Sequence, residues 1–268
     1  MIPLDETFWQ PWLAALPALL VFAVAGWLYS IWRHNVHIID SMWALYFLLT
    51  AICVALQQAI TTRGILILCV AMIWGLRLST YLTFRNWGKP EDYRYQQIRK
   101  NNAPHFWIKS LYLVFGFQMV LAWCLALPLI AAMHSTAAMT WLDITGLAIA
   151  LIGIVYEGTA DWQLYCFKQN PANKGKVLDH GLWAWSRHPN YFGESLTWWG
   201  FFIVALASGH WWTVFSPIIL TILLLKVSGV RLLEKTIHER RPAYREYIAR
   251  TSSFIPWPPK QPLSRTST

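Results

Sequence analysis

The sequence predicts an all-α, polytopic membrane protein of seven transmembrane helices, with its N-terminus outside and its C-terminus cytoplasmic. Composition comes first: 56% of the 268 residues are hydrophobic and 13% charged, a balance that suits a chain dissolved in lipid. Second, seven apolar segments, at about 11–32, 40–60, 64–84, 109–133, 140–164, 191–208 and 211–228, approach the roughly 20 residues that span a bilayer as a helix. Open strands are excluded there because their edges have no hydrogen-bond partners in lipid. Third, with Asp5 and Glu6 outside, every lysine and arginine except Arg63 and Arg77 falls in a cytoplasmic connection or the C-terminal tail. The formal charge of +9 follows from that asymmetry and from attraction to anionic lipid, and implies no nucleic acid partner.

Segment one, between Trp12 and Trp32, reads as an uncleaved anchor, lacking a basic leader and a small-residue cleavage site. Arg33-His34-Asn35-Val36-His37 is a basic turn, and Asp40 opens segment two as a cap or dipole partner. Segment three carries Arg77, with Tyr81 one turn later and Arg85 one turn beyond. A cation in a membrane helix faces the bundle interior and takes a partner, and Asp40 lies at a compatible depth. The connection from Arg85 to Lys109 is long enough to be functional, with Tyr93 and Arg94 as lid or cofactor contacts against a reading as a solvated charged face. Gln118 in segment four reads as an interhelical hydrogen bonder. In segment five Glu157, Asp161 and Lys168 share a helical face, and buried carboxylates are costly unless they bind something. A turn-rich loop follows, with Lys174 and Lys176. Cys53, Cys69, Cys124 and Cys166 show neither a disulfide framework nor zinc spacing, and no metal site is expected.

Polar chemistry concentrates in Ser186-Arg187-His188-Pro189-Asn190-Tyr191-Phe192-Gly193-Glu194. Pro189 suits the first turn of a helix, where a missing N–H costs nothing. Asn190 and Glu194 then share a face, with Arg187 and His188 at a helix mouth that attracts anions. This run resembles the signature of the steroid 5α-reductase and sterol reductase superfamily, above all an uncharacterised bacterial branch. Gln163 and Phe167 match a second element of sterol reductases, with Asp161 and Lys168 replacing its Asn and Arg. The tail, from Arg231 and Glu234 through Tyr244 and Tyr247 to Ile255-Pro256, is similar as well.

The resemblance implies an NADPH-dependent reductase that delivers a hydride to the activated C=C of a steroid-like or other lipid enone. It implies that Glu157, Asp161, Lys168, Arg187, His188, Asn190, Tyr191, Glu194, Arg231, Glu234, Tyr244 and Tyr247 hold NADPH. Such a hydride builds negative charge on a carbonyl oxygen, which calls for a placed donor. Tyr81 is the candidate, with Arg77 and Asp40 setting its environment. The early Gln-Glu pair of steroid 5α-reductases has no counterpart, since Gln57-Gln58 lacks the acid. Residues 1–260 are expected to form one membrane domain, with 1–150 on the substrate side, 150–260 binding NADPH, and 261–268 a disordered tail. The partners implied are a lipid-like substrate and membrane lipids, in a bacterial inner membrane, or the endoplasmic reticulum if the source is eukaryotic. Isoprenylcysteine carboxyl methyltransferases and phospholipid methyltransferases share an Arg-His-Pro-x-Tyr-x-Gly run, so an S-adenosylmethionine-dependent methyltransferase is the alternative. A non-catalytic lipid-binding protein is the third reading.

Overall fold

The computed structural model describes residues 6–227, 234 and 243–260. Asp5, the end of segment seven at 228, Arg231 and the expected tail 261–268 lie outside the described residues. The fold is all-helical, with no strand among the described residues and an isolated bridge between Ser186 and Ser252.

The helices are α1 (Glu6–Leu13), α2 (Leu16–Arg33), α3 (Ile38–Ala55), α4 (Thr62–Asn86), α5 (Tyr93–Asn101), α6 (Phe106–Ser110), α7 (Phe117–Leu125), α8 (Leu127–His134), α9 (Trp141–Gln169), α10 (Leu182–Trp185), α11 (Pro189–Ala207), α12 (Phe215–Ile222) and α13 (Tyr244–Arg250). A π-helical stretch, Leu111–Gly116, joins α6 to α7, and another, Leu223–Val227, follows α12. Among the described residues five helical runs are long and apolar enough to cross a membrane: Glu6–Arg33, Ile38–Ala55, Thr62–Asn86, Phe106–His134 and Trp141–Gln169. The expected sixth segment forms α11, and the seventh lies in a shorter apolar helix, Trp211–Lys226.

The chain divides into two compact units, Met1–Leu147 with Phe201–Ser216, and Ala148–Gly200 with Pro217–Thr268. In the first, α3 packs on α4 around Trp74, whose fully buried ring meets Phe47 edge-on at 5.7 Å and Phe201 at 6.5 Å. Gly75 lies at their contact, where a Cβ would stand 3.4 Å from the Ala44 carbonyl oxygen, an ordinary packing distance. Trp12 and Trp123 stack at 3.6 Å, and each indole N–H donates to the other residue's carbonyl, at 3.1 and 3.0 Å. Trp12 therefore clamps one segment to another as well as marking a helix end. The connection before α5 is built by Asp92, whose carboxylate accepts the Arg94 N–H at 2.9 Å and caps the helix. Arg99 and Lys100 fall in the last turn of α5, where cations favour the helix dipole.

Arg63, one of the two exceptions to the charge rule, is 1% exposed and paired with Asp143 at 2.6 Å. Its charge is thus neutralised inside the protein.

In the second unit, α9 and α11 cross where two glycines remove the side chains that would hold them apart. A Cβ on Gly153 would lie 2.5 Å from the Thr197 backbone nitrogen, and one on Gly193 would lie 2.6 Å from the Glu157 nitrogen. Neither clash involves a flexible side-chain end, so backbone would have to move. Gly193→Val is accordingly expected to cost about 1–3 kcal/mol by overpacking, read as a lowered melting temperature in detergent; an unchanged value would show that the helices separate freely.

Candidate functional site

The polar motif folds around its first residues. Pro189 opens α11 as its backbone angle favours, and the Ser186 hydroxyl accepts the His188 N–H at 3.1 Å while donating to the Phe254 carbonyl at 2.8 Å. The Arg187 N–H donates to the Ser252 carbonyl at 2.8 Å, and the Trp257 N–H to the Trp185 carbonyl at 3.0 Å. Residues 251–257 therefore lie alongside 185–187 as a strap.

Arg187 anchors that strap. Its Nε and Nη2 donate to Glu234 Oε1 and Oε2 at 2.7 and 2.9 Å, and its Nη1 donates to the carbonyls of Ile248 and Thr251 at 3.2 and 2.6 Å. This bidentate arrangement is the strong form of the arginine–carboxylate pair. His188 Nε2 sits 3.1 Å from Glu234 Oε1, and its ring stacks on Tyr191 at 5.5 Å with an interplanar angle of 4°. Tyr244 reaches the same carboxylate oxygen at 3.5 Å. Burial alone would raise the Glu234 carboxyl, but the hydrogen bonds from His188 and Arg187, with the guanidinium charge, hold it down at about 2. The Tyr247 hydroxyl donates to the Trp183 and Ser186 carbonyls at 2.5 and 3.3 Å, and burial pushes its pKa up, so it stays protonated. Arg187, His188, Tyr191, Glu234, Tyr244 and Tyr247 are thus one cluster.

A second cluster lies along the α9–α11 crossing. The Asn190 amide donates to Asp161 at 3.2 Å, and Gly193 abuts Glu157. Glu157, Asp161 and Glu194 are 2%, 3% and 7% exposed. Three carboxylates at this depth are costly to bury unless hydrogen-bonded or paired. Lys168 is exposed at the end of α9, and Lys174 and Lys176 are exposed on the loop after the turn Pro171–Asn173. Gln163, matched above to sterol reductases, accepts the Leu182 N–H at 3.0 Å and so fixes the start of α10. Gly181 beside it has φ +62° and would set a Cβ 2.7 Å from the Gln163 amide, two reasons for glycine at one position.

Tyr81, Arg77 and Asp40 belong to the first unit. Arg85 lies over the Tyr81 ring at 5.7 Å, placing a cation beside the proposed proton donor. Asp40, matched with Arg77 by depth in the sequence, accepts from the Tyr95 hydroxyl at 2.6 Å and pairs with Arg94 at 3.2 Å. Burial and the Asp40 carboxylate push the Tyr95 hydroxyl well above its ordinary value, with Gln118 also hydrogen-bonded to it. Burial opposes the charge on Arg94, but Asp40, Tyr95 and Asp92 together outweigh it and its pKa rises. Tyr95 had no sequence signal beyond its place beside Arg94; its role comes from tertiary contact. No cluster of histidine, cysteine and acidic residues among the described residues has the form of a metal site.

These features define a class: an all-helical protein with apolar helices of membrane-spanning length and a buried polar site built on a helix crossing. The chain belongs to the family described as "Protein of unknown function (DUF1295)", matched over residues 26–251. An uncharacterised protein of Schizosaccharomyces pombe is 29% identical over 92% of this chain and 80% of its own length. A probable O-methyltransferase of Ustilaginoidea virens is 43% identical over 65 residues, which are 24% of this chain and 22% of that protein. No solved structure matches.

Proposed function

We propose that this chain is an NADPH-dependent membrane reductase that transfers a hydride to the activated C=C of a steroid-like or other lipid substrate. The observation that carries the reading is the polarity gradient of the second unit. Buried acceptors (Glu157, Asp161 and Glu194) with the Asn190 amide lie on the helix crossing, and exposed lysines (Lys168, Lys174 and Lys176) lie at the loop end. Carboxylates and an amide suit ribose hydroxyls and a carboxamide, and lysines suit a 2′-phosphate and pyrophosphate. Arg187 is already neutralised by Glu234, so the phosphate charge falls to the lysines.

NADPH would supply the hydride. Tyr81 would donate the proton that balances the charge left on the substrate, with the Arg85 cation 5.7 Å from the centre of its ring. The resemblance of the Arg187–Glu194 run to the sterol reductase signature adds support. We further propose seven spans, N-terminus outside and C-terminus cytoplasmic, in a bacterial inner membrane, so that the lysine rim meets the cytoplasmic nucleotide pool.

An S-adenosylmethionine-dependent methyltransferase is the second reading, favoured by the name of the Ustilaginoidea virens relative and by buried carboxylates, which also suit a sulfonium cation. It leaves the lysine rim without a task. Thermal shift of the detergent-purified protein separates the two. NADPH is expected to stabilise more than NADH, and Asn190→Ala to raise the half-saturating NADPH concentration by about tenfold, near the upper range for one lost hydrogen bond. Stabilisation by S-adenosylmethionine in preference to NADPH overturns the reductase, and stabilisation by neither supports the non-catalytic lipid binder.

A further inference from the structure

A cleft in the first unit lies outside every residue assigned above. It is a half-open recess of about 50 Å³ where the end of α2, the start of α3 and the turn after α4 meet. Three basic side chains, Arg33, His37 and Lys89, line it, and none of its described lining residues is acidic. Ser41, Thr83 and Asn86 add neutral hydrogen-bonding groups to the wall. The nearby acid, Glu91, is occupied elsewhere: it accepts the Val36 N–H at 2.9 Å and pairs with Arg99 at 2.8 Å. Its carboxylate also acts on His37, so the cationic character of the cleft rests on Arg33 and Lys89.

Two further features set what such a cleft takes. The Asn35 amide donates to the Lys89 carbonyl at 3.5 Å, tying one lip to the other. Trp32 and Trp87 are 71% and 72% exposed on the two sides, and Arg33 lies over the Trp32 ring at 5.6 Å. Exposed tryptophans at the ends of apolar helices sit at headgroup level. A cationic recess with hydroxyl and amide donors at that level has the chemistry of a phosphodiester site. We infer that this cleft binds the headgroup of an anionic phospholipid, independently of the reaction performed elsewhere in the chain.

The test is thermal stabilisation of the full-length protein in detergent by dihexanoylphosphatidylglycerol, dihexanoylphosphatidylcholine and inorganic phosphate, each titrated separately. The phosphatidylglycerol is expected to stabilise at lower concentration than the other two. Lys89→Gln and Arg33→Gln are each expected to raise its half-saturating concentration by about fivefold, the worth of one cation near an anionic surface. Both side chains are exposed, so the variants should fold, and Lys100→Gln, an equal charge change at an exposed position of α5, should respond as wild type. Several results overturn the inference: no stabilisation by phosphatidylglycerol, an equal effect from phosphatidylcholine, or an equal loss in Lys100→Gln. Unaltered binding in both cleft variants, or the whole shift reproduced by phosphate alone and marking a free-anion site, does so too.

Discussion

Arg63→Ala is expected to lower the unfolding free energy by about 3–5 kcal/mol, the usual result of stripping one partner from a buried ion pair. Every N–H of that guanidinium is placed. Nε and Nη2 donate to the two Asp143 oxygens at 2.6 and 3.0 Å, Nη1 to Ser135 Oγ and the Ala137 carbonyl at 3.1 and 2.9 Å, and Nη2 to the Ala138 carbonyl at 2.8 Å. Asp143 in turn accepts the Thr140 N–H at 2.7 Å at the start of α9, half of a capping box. Removing the arginine strands a carboxylate whose side chain is 0% exposed and frees the 135–138 turn that the guanidinium holds. Denaturant titration in detergent measures the loss. The double variant Arg63→Ala/Asp143→Ala should lose well under the sum of the singles, because the second deletion removes the stranded charge. A single variant within about 1 kcal/mol of wild type would mean that water reaches the pair and that it behaves as a surface bridge.

That pair also shows what the sequence could convey and what it could not. Apolar length announced the helical runs through α9, and Pro189 announced the start of α11, because both depend on residues close in the chain. Partner choice does not. Arg63 and Asp143 are 80 residues apart, and Asp40 meets Arg94 across 54, so helix packing settles each match. Depth along a span suggested Arg77 for Asp40, yet depth says nothing about which way a neighbouring helix faces. The tail carried more information. Its tyrosines and Glu234 stand out as a polar run, and they return to the Arg187 motif, although the Tyr247 hydroxyl ends on backbone carbonyls. Gln163 was legible as a matched position, but its bond to the Leu182 N–H depends on the turn at Gly181.

The strap held by Arg187 should loosen in acid. The Glu234 carboxyl is held at about 2, below the roughly 4.3 of a free glutamate. Its folded-state value is depressed, so its contribution is fully present above about pH 4.3 and is lost as pH falls through about 2. The difference corresponds to about 3 kcal/mol, or roughly two orders of magnitude in the opening equilibrium. Two amides report that opening directly: Arg187 N–H, bonded to Ser252, and Trp257 N–H, bonded to Trp185. In hydrogen exchange corrected for intrinsic rates, both should lose protection between about pH 5 and pH 2. Glu234→Gln should be deprotected at pH 7 already, and should show little further change in acid, because the titrating group is gone. The neutral amide leaves Arg187, 8% exposed, without its counter-charge, so the variant cannot mimic the pair. If Glu234→Gln keeps wild-type protection at pH 7, the strap is held by its backbone bonds and the Ser186 hydroxyl without help from the ion pair.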